Sequence, residues 1–164
     1  MATGKEDVLQ ALMDAYFMEK GTREFYAQAA QKVSAAEAKQ AFKELAEWED
    51  RHMEYIGYLY RSMTEDRDVQ GFEEFSRKSP APLTEAGIPV KDLESSIERY
   101  TITDDMGAVA LALEIEGKAY NLYWKLSRSA ADTNARVVFR SMMEQETKHI
   151  DHLRSMMAKL SRAA

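Results

Sequence analysis

Apolar residues in the first arm of the chain recur at alternating steps of four and three. The series runs Val8, Leu12, Ala15, position 19, Thr22, Tyr26, Ala29 and Val33. It resumes at Ala38, Phe42, Leu45, positions 49 and 52, Ile56, Leu59 and Met63. Such a stripe covers one face of an α-helix that buries it in a bundle. Ser34 followed by Glu37 has the spacing of a capping box, which predicts one helix over about 5–33 and a second over about 35–63. Two long helices joined by so short a turn must run antiparallel.

The second arm repeats the first with a constant shift of 97 residues. Leu12 falls on Val109, Ala15 on Ala112, Tyr26 on Tyr123, Ala38 on Ala135, Phe42 on Phe139, Leu45 on Met142 and Ile56 on Leu153, with no gap. Helices are therefore expected over about 104–129 and 132–161, with a turn near Ala131 and Asp132 as the cap of the last one. The fold expected is all-α: a single domain over 1–164, a four-helix bundle made of two duplicated hairpins. Pro80, Pro82, Pro89, Gly71 and Gly87 gather in a crossover of about 64–103. A helix of ~28 residues is roughly 42 Å long, so a crossover of this size suits a return along the whole bundle. It exceeds an ordinary structureless loop and should carry short helices, Lys91 to Tyr100 first among them.

The skipped positions of the stripe carry the chemistry. Glu19 interrupts the first helix, Glu49 and His52 the second, Glu116 the third, Glu146 and His149 the fourth. The shift of 97 relates each to its counterpart, and both hairpins separate their acids by 30 residues. The midpoints fall at the two turns, so the paired glutamates should lie level and all six side chains should meet at one depth. An unpaired carboxylate in an apolar core costs several kcal/mol even after relaxation. Four together, with no Lys or Arg in the stripe, call for cations among them. Two divalent ions match four carboxylates. Mixed carboxylate and imidazole ligands suit iron, manganese or zinc better than calcium or magnesium. One Glu from each of two helices plus Glu-x-x-His from each of the other two is a di-iron or di-manganese ligand pattern. Glu114, two residues before Glu116, should face away from it.

Composition narrows the alternatives. The chain has 28 acidic against 22 basic residues and no basic block, which argues against nucleic acid or an anionic membrane surface as partner. It has no cysteine, which excludes thiolate-held iron and cysteine nucleophiles. The first ten residues lack the apolar core of a secretory signal, and no stretch has the length of a membrane span, so a cytoplasmic location is expected. Tyr26 and Tyr123 each lie two helical turns beyond their glutamate. They can pack in the core, bond a ligand carboxylate, or donate single electrons. His152 is expected at the rim. Met18, Met53 and Met143 fall off the stripe and read as packing residues. Trp48 and Trp124 have the size to line a subunit interface.

Glu19, Glu49-x-x-His52, Glu116 and Glu146-x-x-His149, spread over nearly the whole chain, resemble the ferritin-like superfamily. The Ala-x-x-x-Glu followed by Tyr seven residues later, at Glu19 and Glu116, is most similar to its rubrerythrin-like branch. The resemblance implies a non-haem di-iron centre that reacts with hydrogen peroxide or dioxygen, as peroxidase or ferroxidase, under oxidative stress. It makes Glu49 and Glu146 bridging carboxylates, Glu19 and Glu116 terminal ligands, and His52 and His149 a ligand to one metal each. Full-length rubrerythrins add a four-cysteine rubredoxin domain, so electrons here should come from a separate donor such as a rubredoxin. They also carry a further Glu where this chain has Ala119, which gives weight to a ferroxidase or oxidase. A homodimer is the state the resemblance suggests. Iron storage of bacterioferritin type shares the ligand pattern. It ranks lower, because those chains add a fifth helix and this sequence ends four residues after Leu160. Non-catalytic metal binding is the remaining alternative.

Overall fold

A computed structural model of the chain describes residues 4–64 and 104–163. They form four long helices: α1 (Lys5–Lys32), α2 (Ala36–Thr64), α3 (Asp105–Ser129) and α4 (Thr133–Ala163). The expected bounds agree to within two residues. The expected crossover, with its helix at Lys91 to Tyr100, lies outside the described residues except for Thr64, which ends α2. None of the described helices is long and apolar enough to cross a membrane.

The apolar stripes all turn inward. Val8, Leu12, Ala15, Tyr26, Ala29 and Val33 are buried, as are Ala38, Phe42, Leu45 and Ile56; in the second arm so are Val109, Ala112, Tyr123, Ala130, Ala135, Phe139, Met142 and Leu153. The core falls into two apolar layers. One joins the end of α1 and the start of α2 to the start of α3 and the end of α4, around Phe25, Phe42, Ile115 and Leu153. The other joins the opposite ends, around Leu12, Ile56, Tyr123 and Phe139. α1 is therefore antiparallel to α2 and to α3, and α2 runs parallel to α3. A chain leaving α2 must travel the length of the bundle to enter α3, as the sequence suggested. Leu59 and Met63, last on the second stripe, are only partly buried and border an apolar pocket at that end.

The two turns are built differently, although the helices they join are copies. In the second turn the Asp132 carboxylate accepts the Ala135 N–H at 2.8 Å, the cap expected there. In the first turn the expected Ser34 cap gives way to one supplied from elsewhere. The Asp105 carboxylate accepts the N–H groups of Ser34 and Ala35 at 2.8 and 2.7 Å, and α2 starts only at Ala36. A charged acceptor on two otherwise orphaned helix-terminal donors is stronger than a hydroxyl, and it ties the first hairpin to the second.

Phe42 packs against Phe25 and Tyr26, with ring centroids 6.4 and 5.9 Å away. Phe42→Ala should cost about 3–5 kcal/mol, the range for emptying a buried aromatic site. Urea unfolding of the metal-free protein measures it, and a loss below 1 kcal/mol would show that the layer is not close-packed.

Candidate metal centre

Between the two apolar layers lies a single polar one. Glu19, Glu49, His52, Glu116, Glu146 and His149 are each no more than 2% exposed. Thr22 is the only other polar residue buried to this degree among the described residues, and no Lys or Arg joins them. The helices bring them together because the interruptions sit in phase with the buried stripe. Glu114, out of phase, is exposed and pairs with Lys118 at 3.1 Å.

The six form two sets with two members in common. His52 Nδ1 is 3.2 Å from Glu19 Oε2, 3.2 Å from Glu49 Oε2 and 3.3 Å from Glu146 Oε1. His149 Nδ1 is 3.2 Å from Glu116 Oε2, 3.2 Å from Glu49 Oε1 and 3.3 Å from Glu146 Oε2. Glu49 and Glu146 thus offer one oxygen to each set, while Glu19 and Glu116 belong to one set apiece. Ligand atoms of Glu49, His52, Glu146 and His149 all lie within 4.8 Å of one another, close enough to surround a metal ion.

Whether the site suits metal ions is decided by the shared carboxylates. All four oxygens of Glu49 and Glu146 are buried without a hydrogen-bond partner: the imidazole nitrogens come near but not in bonding alignment. Four orphaned acceptors gathered in one buried layer carry a large cost that positive charge among them, as protons or as metal ions, would offset. Two divalent ions fit by charge, donor type and position.

The surrounding groups show the same strain of crowded acids. Burial, then the charge of Glu49, pushes the Glu19 carboxyl up to about 8. Burial, then the charges of Glu116 and Glu19, holds Glu146 well above the usual carboxylate range. Burial alone would lower the two imidazoles. The Glu19 charge beside His52 and the Glu49 charge beside His149 outweigh it, and both are held well above their ordinary value. Without metal the layer is therefore stabilised by protons, which metal ions would replace.

Tyr26 and Tyr123 are fully buried, and each reaches across to the other hairpin. The Tyr26 hydroxyl donates to Glu116 Oε1 and the Tyr123 hydroxyl to Glu19 Oε1. Core packing and a bond to a carboxylate of the layer, alternatives in the sequence, are both realised. Ala119 is buried in the apolar layer beside the site. His152 is partly exposed, with Nε2 3.5 Å from a Glu44 oxygen.

Sequence reasoning missed Trp48 as part of this region. Its indole stacks on the His149 ring at 5.0 Å. Beside it, a pocket of about 440 Å³ opens between α2 and α4. Arg51, His52, Gln145, Lys148 and His149 are among its walls, so it leads from the surface to the imidazoles. Trp124 is instead exposed on α3, with the Arg128 guanidinium 5.1 Å above its ring.

A protein-family model described as Rubrerythrin matches residues 10–157, which span every side chain of the layer. Comparisons with curated proteins and with solved structures find no match.

Proposed function

This chain belongs to the rubrerythrin family, and on that premise we propose that it is a dimetal oxidoreductase, with a carboxylate-bridged di-iron centre that consumes hydrogen peroxide or dioxygen. The observation that carries the reading is the division of oxygens: Glu49 and Glu146 each face both imidazoles, while Glu19 and Glu116 each face one. Glu49 and Glu146 would be the bridging ligands, Glu19 and Glu116 the terminal ones, and each imidazole would serve one ion through Nδ1. When bound, iron supplies the single-electron couples that reduce an oxidant.

The chain's own residues set the conditions for that chemistry. Two apolar layers exclude water from either end, which strengthens the field of the carboxylates on anything between them. The Tyr26 and Tyr123 hydroxyls each hold one oxygen of a terminal glutamate; the other oxygen of Glu19 turns to His52, and both oxygens of Glu116 lie 3.2 Å from His149 Nδ1. The pocket between α2 and α4 is wide enough for peroxide or dioxygen to reach the His52 and His149 edges. The electrons for repeated turnover would come from a one-electron donor such as a rubredoxin.

Anaerobic loading with ferrous iron, followed by peroxide or dioxygen in the presence of a reductant, tests the reading. Repeated turnover, with growth and bleaching of the visible absorption of oxidised iron, is expected. Failure to turn over with either oxidant and any reductant overturns it. Tyr26→Phe and Tyr123→Phe should each weaken iron binding or slow turnover by roughly 10–100-fold, the usual effect of losing a partner that orients a ligand. Equilibrium dialysis and initial rates measure it; wild-type values in both variants would make the tyrosines packing residues only.

A further inference from the structure

We propose that Trp48 makes the two metal positions unequal, by bracing His149 so that the first ion to bind settles on the His149 side. The inference rests on the dimetal reading above and adds to it an order of occupation.

Each of the six side chains in the layer has a copy 97 residues away, but the surroundings of the imidazoles do not. Trp48 stacks on His149 with ring centroids 5.0 Å apart and planes within 21°. His149 stacks in turn on His52 at 4.8 Å and 12°. The outer side of the indole leans on His152 at 5.2 Å and 59°, and His152 faces Glu44. The shift of 97 puts Gln145 in place of Trp48, Tyr55 in place of His152 and Ser141 in place of Glu44. Gln145 and Ser141 line the open pocket. The His149 ring is thus clamped between two aromatic planes, and among the described residues the His52 ring has one such neighbour.

An imidazole must give up its rotational freedom to ligate. A ring already clamped with Nδ1 toward the carboxylates gives up less, and preorganisation of this kind strengthens binding. The contact between the two imidazoles is common to both sides and cancels. What remains is one aromatic pair, which corresponds to a preference of about 2- to 10-fold for the His149 side. Trp48 is a positioning residue here, acting through His149.

The test uses the full chain with ¹⁵N-labelled histidine and a single equivalent of cobalt(II), read by NMR of the hyperfine-shifted imidazole signals. The His149 signals should exceed those of His52 by about 2- to 10-fold. Trp48→Gln should equalise them, and Trp48→Phe should keep the preference. The exchange Trp48→Gln with Gln145→Trp should reverse it, which a merely structural role for the indole would not do. Equal signals in the wild type overturn the inference and leave the centre standing. So does a preference unchanged in Trp48→Gln. Absence of any hyperfine-shifted imidazole overturns the dimetal reading, and this inference with it.

Discussion

Glu49→Gln is expected to weaken both metal positions at once. The change keeps the side-chain volume and removes the charge. One oxygen of Glu49 lies 3.2 Å from His52 Nδ1 and the other 3.2 Å from His149 Nδ1, so neither position escapes. Partners that only orient a ligand are worth 10–100-fold in affinity, so loss of a shared ligand should exceed roughly 100-fold at each position. Glu146→Gln should behave alike. Glu19→Gln should act on one position, because His52 is the imidazole its second oxygen meets. The metal-to-protein ratio after dialysis, with competing chelator at graded strength, separates the cases. Full retention of two ions by Glu49→Gln would remove it from the bridging role.

Metal-free and metal-loaded protein should respond to pH in opposite directions. In the metal-free fold the Glu19 carboxyl keeps its proton up to about 8, against an ordinary 4.5. Glu146 shifts the same way, and both imidazoles hold theirs well above 6.5. These groups bind more protons folded than unfolded, so stability falls as the pH rises. The imidazole contribution is whole below 6.5 and is lost as the pH climbs through the folded values. Glu19 subtracts progressively between 4.5 and about 8. Glu49 is displaced downward: burial works to raise it, and its contacts with Glu19, His149 and His52 outweigh that. Its contribution is present above 4.5 and lost only in acid, so it does not offset the others near neutrality. Metal ions compete with those same protons, so raising the pH strengthens their binding and the stability they add. Ions at 1,000 times their Kd contribute about 4 kcal/mol per site. At roughly 2–4 °C per kcal/mol, that is a rise in Tm on the order of 10 °C for each. Melting curves with chelator and with manganese, across the same pH range, read both trends. Parallel slopes would show that the layer carries no exchangeable protons.

Much of this was legible in the chain because a helix writes its buried face into its period. Six polar residues in phase with two copied stripes give the site, and the shift of 97 gives its symmetry. Asp132 could be read as a cap because capping is local. Asp105 could not, because its acceptor role joins residues 70 positions apart. Trp48 was hidden for a related reason. Periodicity says that a residue lies beside the stripe, but not which neighbouring helix faces it. Its contact with His149 depends on α2 meeting α4. The crossed bonds of Tyr26 to Glu116 and Tyr123 to Glu19 likewise require α1 to lie against α3. The sequence left open which glutamate each tyrosine would bond.

The account depends on cations filling the space among Glu19, Glu49, Glu116 and Glu146. Anomalous scattering at the iron edge, from crystals grown after iron loading, tests that directly. Two peaks ~3–4 Å apart are expected, the usual two-metal separation, with Glu49 and Glu146 between them and one imidazole at each. A layer without peaks, its carboxylates closed on one another, would contradict it.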